Sequence, residues 1–476
     1  MWKLRAELLF ASGRPIQGVH ALVQRGVWLL DPAAMRANQD LIWTRLRKVS
    51  EPGKRLTSVK EVGRVTRGWV QLATIADHSW TDRKALEDRL ALWARRYPDH
   101  PASQHLLAQQ FDYQPPASTG NYLANTGVIG LALPLSGRYR HAAAAIRDGF
   151  VAGYYALGSQ QVSLRVYDAS RFNSNAALLT QARKDGVGLL VGPLDKQRVA
   201  ALTRAPAPQM AVLALNYSDT SQRFPGFFQF GLAPEDEARA VARRAIAQGW
   251  HRALALVPEG DWGGRVLQAF RDTLAAAGGR LVDYATYDPS LPDHAKPIQR
   301  LLQHYQPRSQ TPDGKTVAFH TGVDFFFLAA EPGQARLIRS QLRFYRAGHL
   351  PLLATSDVYT GEPQPTKDDD LNGLVFADMP WLLGSNPDVR AMRKQLATVW
   401  GNDEQGFPRL FAMGLDAWRL AKHMRAGQLA PGRLFHGATG TLYLQPDGQI
   451  RRRLDFARFV QGAPKPLPEV ETPMTP

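Results

Sequence analysis

Residues 127–157 read GVIGLALPLSGRYRHAAAAIRDGFVAGYYAL, a short apolar run that ends in Pro134-Leu135-Ser136-Gly137 and passes at once into an alanine-rich helical pattern. Strand, small-residue turn and helix start in that order are a common way to hold an anion or another small ligand. The first N–H groups of the helix lack intrahelical partners and point at the turn. The stretch predicts an α/β unit and marks Ser136 and Gly137 as candidate ligand contacts. A tight strand-to-helix turn is by itself enough to explain both residues.

The same rhythm continues downstream. The apolar runs VSLRVYDA (162–169), VGLLVGPL (187–194), MAVLALNY (210–217), RALALV (252–257), RLVDYATYD (280–288), DFFFLAA (324–330) and LPLLATS (350–356) alternate with amphipathic helical patterns. Strands separated by helices of ten or more residues imply right-handed crossovers and a parallel sheet covered on both faces. At 437–461 the sequence GATGTLYLQPDGQIRRRLDFARFVQ instead shows two alternating runs joined by Pro446-Asp447-Gly448, a hairpin signal.

Upstream the pattern is helical. In KLRAELLFASGRPIQGVHALVQRGVWLL (3–30) apolar residues recur every three or four positions, Gly13-Arg14-Pro15 breaks the run, and Asp31-Pro32 starts another helix. TDRKALEDRLALWARRYPDHPA (81–102) predicts a helix capped by Thr81 that stops before Pro98. Paired helices of this size resemble tetratricopeptide-like solenoids, although no strict period of about 34 residues is present. Trp28, Trp43, Trp69, Trp80 and Trp93 read as helix-packing core. The Pro/Ser/Gly-rich YQPPASTGNY (113–122) reads as a linker.

Composition narrows the function. At 476 residues, with 44% hydrophobic and 21% charged side chains, two or more globular domains are expected. The formal charge of +16 comes from 45 Arg and 13 Lys against 42 Asp and Glu. Residues 1–120 hold 18 basic and 11 acidic side chains, so the first quarter is the more basic part. Such a skew reflects either base composition or an anionic partner. No zinc-finger spacing or RNP-like aromatic motif is present, and RRR at 451–453 is the longest basic run, so nucleic acid is not the expected partner. With no Cys in the chain, disulfides, thiol chemistry and thiolate metal sites are excluded. The N-terminus shows neither a signal region nor a lipid-modifiable Cys, and no apolar run spans a bilayer.

Catalytic motifs fail on inspection. DGKT (313–316) has Ser309 where a phosphate-binding loop needs its first Gly, and GVGLLVG (186–192) lacks dinucleotide spacing. There is no G-x-S-x-G elbow, S-x-x-K or H-E-x-x-H. His100 and His105 flank Pro101 in poor geometry for a metal, and Asp368-Asp369-Asp370 reads as a solvated turn. No catalytic residue, metal or cofactor is expected.

Four landmarks resemble the type I periplasmic-binding fold: GLALPLSGRY…AIRDGF (130–150), LLVGPLDKQRVAAL (189–202), PEGDWGGRVLQAFRDTLAAAGGRLVDYATYD (258–288) and FHGATGTLYLQPDGQIRRRL (435–454). That fold implies two parallel-sheet lobes facing a cleft, with crossings expected near 232, 355 and 430. The cleft candidates are then Ser136, Gly137, Asp195, Asn216, Tyr217, Asp261, Trp262, Ser356 and Tyr359. ALNYSD (214–219), LPLLATSDVYTG (350–361), LNGLVFADMPWLL (371–383) and RRYPDHPA (95–102) are similar to the LpoA-type (LppC) family of outer-membrane lipoproteins that activate class A penicillin-binding proteins.

The resemblance covers the whole chain. It implies a tetratricopeptide-like helical domain (1–113), a linker (114–122), a periplasmic-binding-protein-like α/β domain (123–461) and a tail (462–476). Lobe 1 is expected at about 123–232 and 356–430, lobe 2 at about 233–355 and 431–461. It further implies a non-enzymatic regulator of peptidoglycan synthesis with a class A penicillin-binding protein as partner and peptidoglycan as a further contact. The implied location is the periplasm, on the inner face of the outer membrane, held by an N-terminal lipid in the full-length protein. Arg451, Arg452 and Arg453 are candidate partner contacts; the solvated face of a hairpin explains them equally. A solute-binding protein for transport or sensing is the alternative. Against it, Gly192-Pro193-Leu194-Asp195-Lys196 stands where amino-acid-binding members of the fold present hydroxyl residues. Pro193 removes an N–H, and Asp195 repels a ligand carboxylate.

Overall fold

The computed structural model describes residues 2–468 apart from 28–31, 58–63, 79, 81, 98–99, 104–105, 114–126, 157–161, 205–209, 219–225, 306–308, 311–315, 318–321, 401–405, 430–433 and 446. The linker expected at 114–122 lies outside the described residues, as do Trp28, Thr81 and His105.

The N-terminal part is built from helices α1 (Trp2–Ala11), α2 (Pro15–Val27), α3 (Pro32–Leu46), α4 (Pro52–Thr57), α5 (Arg64–Asp77), α6 (Arg83–Arg96) and α7 (Leu106–Phe111). Proline opens α2, α3 and α4, where its missing N–H leaves no helix bond unmade. Asp82 caps α6 by accepting from Lys84 N at 2.9 Å. Trp43, Trp69 and Trp93 lie in one apolar core with Ile16, Leu22, Val70 and Leu90, and His100 packs edge-on against Trp69 and Trp93. His100 Nε2 faces Val65 O at 2.8 Å, and its Nδ1 accepts from Ala102 N at 3.2 Å. This pair of contacts selects the neutral ring with its proton on Nε2. The ring packs so closely on Gly68 that a Cβ there would lie 2.5 Å from it.

The α/β part begins with parallel strands β1 (Val128–Leu133), β2 (Ser163–Asp168), β3 (Leu189–Val191), β4 (Ala211–Ala214) and β5 (Phe227–Phe230). Between them run α8 (Arg140–Ala156), α9 (Asn175–Lys184) and α10 (Lys196–Arg204). After β5 the chain crosses through 231–233 into α11 (Pro234–Ala247), β6 (Arg252–Pro258), α12 (Asp261–Ala276), β7 (Arg280–Tyr287) and α13 (Ala295–Leu302). A small ribbon, β8 (Ser309–Gln310) and β9 (Thr316–Val317), precedes β10 (Phe325–Leu328), α14 (Pro332–Phe344), β11 (Leu352–Ala354), α15 (Pro365–Asp368), β12 (Val375–Asp378), α16 (Pro380–Leu383) and α17 (Pro387–Trp400). Helix α18 (Pro408–Arg425) returns to the first lobe, followed by β13 (Leu434–His436), β14 (Thr441–Leu444) and β15 (Gln449–Arg453). Strands β16 (Asp455–Val460) and β17 (Ala463–Pro466) then close the second lobe.

The result is two sheets, ordered β13-β14-β15-β5-β4-β3-β1-β2 and β17-β16-β12-β11-β10-β6-β7. The first is sealed on one face by Ile129, Leu131, Leu213 and Phe230 and on the other by Leu190, Val212 and Phe227. In the second, Phe325, Phe326 and Phe327 are each fully buried, which is why DFFFLAA shows no alternation.

Two expected crossings are corrected. The second lies between Asp378 and Pro408 and not near 355, because VFAD folds as a buried four-residue strand, β12, parallel to β11. The third lies at Leu454 and not near 430. Residues 434–453 stay in the first sheet, where β15 runs parallel to β5, while β16 pairs antiparallel with β12. A single residue separates β15 from β16, so the alternation runs unbroken through a change of lobe. The expected tail is also corrected: Ala463–Pro466 is the edge strand of the second sheet. Among the described residues no helix is long and apolar enough to cross a membrane.

Candidate functional site

The carboxyl ends of β3, β4 and β5 meet the first turns of α11 and α12 across a cavity of about 660 Å³. Leu194, Asn216, Tyr217, Gln449 and Arg451 line it from the first lobe, and Glu235, Arg239 and Arg265 from the second. Its polar groups are engaged with one another. Asn216 Nδ2 donates to Leu194 O at 3.0 Å, and its Oδ1 accepts from Tyr217 N at 2.9 Å. The Tyr217 hydroxyl donates to Ile450 O at 2.7 Å, and its ring carries the Arg451 guanidinium 4.5 Å from the centroid. Arg451 Nη1 and Arg239 Nη1 share Asp236 Oδ1 at 3.0 and 2.7 Å, while Arg265 Nη1 reaches Glu235 Oε1 at 2.7 Å.

Among the candidates, Asn216 and Tyr217 reach the cavity wall, and so does Arg451. Asp195 flanks it, accepting from Arg198 N at 3.0 Å, so the start of α10 is capped by the chain's own carboxylate. Ser136 and Gly137 lie exposed on the turn before α8, away from the cavity wall. Asp261 is exposed and pairs with Arg265 at 3.1 Å, while Trp262 packs against the helical-side core of the second lobe. Ser356 and Tyr359 are buried beneath the cleft, Tyr359 against Phe376 and Phe459. The RRR run is not a surface patch: β15 alternates its side chains, and Arg452 is only 3% exposed.

Sequence reasoning missed the hinge beneath the cavity. Arg409, in the first turn of first-lobe helix α18, reaches second-lobe Asp378 through Nη2 at 2.6 Å and Nε at 3.2 Å. The same Nη2 donates to Ser356 O at 3.1 Å and Tyr359 O at 3.0 Å. Glu237, in the first turn of α11, accepts from Ser356 N at 2.8 Å. Burial first, and the nearby Asp357 second, push its carboxyl up to about 8. Burial also raises Asp378, against the pull of Arg409. PEDE at 234–237 reads in the sequence as an ordinary acidic helix start; the burial that makes it a bolt comes from residues more than a hundred positions away. Among the described residues no cluster of three or more metal-ligating side chains is present.

Comparison with known proteins places the chain. A family model described as "LppC putative lipoprotein" matches residues 1–462. The penicillin-binding protein activator LpoA of Pectobacterium parmentieri is 28% identical over 97% of this chain and 79% of its own length. The LpoA of Yersinia pestis is 29% identical over 92% of this chain and 75% of its own. Full-length LpoA from Haemophilus influenzae superposes with a TM-score of 0.61 at 26% identity, covering 98% of this chain and 81% of that one. Its C-domain alone, described as a regulator of PBP1A, superposes at 0.59 with 27% identity over 72% of this chain and all of that one. A protein from Chromobacterium violaceum described as "a putative branched-chain amino acid ABC transporter" superposes at 0.53 with 26% identity over 70% of this chain and 99% of that one.

Proposed function

We propose a function that proceeds from one fact: this chain belongs to the LppC lipoprotein family. It acts as a non-enzymatic activator of a class A penicillin-binding protein and raises peptidoglycan cross-linking through protein contact. The observation that carries this reading is that likeness to the activators runs through both the helical and the α/β parts. The cavity supports it as well, because its arginines Arg239, Arg265 and Arg451 are already matched by carboxylates of the same chain. Activation would be a population shift: the chain binds the active arrangement of the synthase more tightly than the resting one. The proposed site of action is the periplasm, with a lipid tether to the inner face of the outer membrane and peptidoglycan close by. Residues 1–113 would act as the spacer and the α/β lobes as the contact. A reconstituted assay with a cognate class A synthase tests the reading. Cross-linking should rise on adding the chain, which alone turns nothing over. Unchanged cross-link yield at saturating chain would end it.

A further inference from the structure

At the carboxyl ends of their sheets, the strand ends that bound the cleft in such folds, the two lobes carry turns of opposite charge. On the first lobe, Arg138, Tyr139, Arg140 and His141 are four consecutive exposed residues, with exposed Arg171 on the adjoining turn after β2. Arg138 lies over the Tyr139 ring, 4.3 Å from its centroid, and Tyr139 as a residue is 42% exposed. The turn is held in place from beneath. Asp168 Oδ1 accepts from Leu135 N at 3.0 Å and from Ser170 N at 3.1 Å, and Ser170 Oγ donates to Ser136 O at 3.2 Å. Asp168 also pairs with Arg171 at 3.4 Å, which leaves Arg138 and Arg140 as the excess charge. On the second lobe, the turns after β6 and β10 present Glu259, Asp261 and Glu331, all exposed. Asp261 is matched by Arg265, whereas among the described residues Arg138, Arg140, Glu259 and Glu331 form no ion pair.

Opposite rims invite closure, yet the hinge opposes it. Rotation would have to move Arg409 relative to Asp378, a carboxylate whose side chain is 1% exposed, and removing one partner of a buried pair is costly. The rims therefore keep their charge for a partner. An exposed Arg–Tyr stack on a pre-ordered turn is the kind of anchor that interfaces use. Resting on the activator reading above, we propose that the cleft mouth is the contact surface. A segment of the synthase lies across it, with acidic groups against Arg138, Tyr139 and Arg140 and basic groups against Glu259 and Glu331.

Binding of the full chain to the synthase, measured in solution at two salt concentrations, tests this. Arg138→Glu/Arg140→Glu/Arg171→Glu should weaken Kd at least tenfold and flatten its salt dependence. Glu259→Lys/Glu331→Lys should also weaken it, since the partner carries both signs. Arg183→Glu/Lys184→Glu/Arg204→Glu makes the same change in net charge at the opposite edge of the sheet, where α9 and α10 end, and should leave Kd within twofold. Circular dichroism and thermal midpoints verify folding, and each rim variant tests the proposal by itself. Wild-type binding left unchanged by either rim variant overturns it, as does equal weakening by the far-edge control. Absence of wild-type binding instead removes the activator reading, and this surface with it.

Discussion

Burial first, then the neighbouring Asp357 and Asp378, push the Glu237 carboxyl up, against the pull of Arg452 and of the Ser356 N–H that one oxygen accepts. Its folded-state value, about 8, lies above the ordinary 4.5. Between those values the native chain binds a proton that the unfolded chain has released, so its contribution to stability is whole below about 4.5 and is lost as pH rises through 8. Glu237→Gln keeps the acceptor for Ser356 and cannot ionise. Urea unfolding from pH 5 to 8 should show wild type losing stability relative to the variant by up to about 1.4 kcal/mol per pH unit. Parallel profiles for the two proteins would mean that Glu237 is ionised in the fold. His100 gives a second test at this scale. Both ring nitrogens are engaged and the ring sits against Trp69 and Trp93, so His100→Ala should destabilise the helical part by about 2–4 kcal/mol. A change below 0.5 kcal/mol in a thermal or urea melt would remove His100 from the core.

Helices α8 and α18 meet through glycine, and this contact holds the first lobe to its return segment. A Cβ on Gly149 would lie 1.9 Å from Phe411 O, and one on Gly414 2.0 Å from Ile146 O. Neither neighbour is a flexible side-chain tip, so the helices must separate to admit a methyl group. Gly149→Ala and Gly414→Ala should each cost about 1–3 kcal/mol despite the better helix propensity of alanine. Stabilisation by either in a denaturant melt would show that the helices are not in such close contact. The sequence displayed the elements clearly, because βαβ periodicity is local: GVIGLALPLSGRYRH and DFFFLAA both fold as their patterns predict. Lobe membership was less legible. β15 and β16 form one continuous alternating run, and only their partners, β5 and β12, place them in different sheets. The cleft was half legible for the same reason. Asn216 and Tyr217 follow directly from the end of β4, whereas Arg409 enters from a helix about 190 residues later.

At the scale of the whole molecule, a binding-protein architecture carries ion pairs that tie its two lobes together. Arg409 and Arg451 each join a first-lobe element to a second-lobe carboxylate, Asp378 and Asp236, across the crossings on which a solute-binding protein would bend. The start of α10 is filled by Asp195, and the cavity arginines are filled by Asp236 and Glu235. A free amino acid would have to displace these carboxylates and rotate the bolted lobes. Millimolar amino acids should therefore leave the thermal midpoint within about 1 °C, because stabilisation scales as RT ln(1 + [L]/Kd) and reaches about 2.7 kcal/mol only at a hundredfold excess over Kd. Arg409→Met releases the bolt and leaves Asp378 buried without its partner, so it should lower stability by about 3–5 kcal/mol. Fluorophores placed on the two lobes should also show a broader distance distribution in that variant than in wild type. A wild-type midpoint that rises several degrees with one amino acid, together with a shortened interlobe distance, would restore solute binding as the working function. An unchanged midpoint, with broadening confined to Arg409→Met, fits a chain whose lobes are held apart as a docking surface.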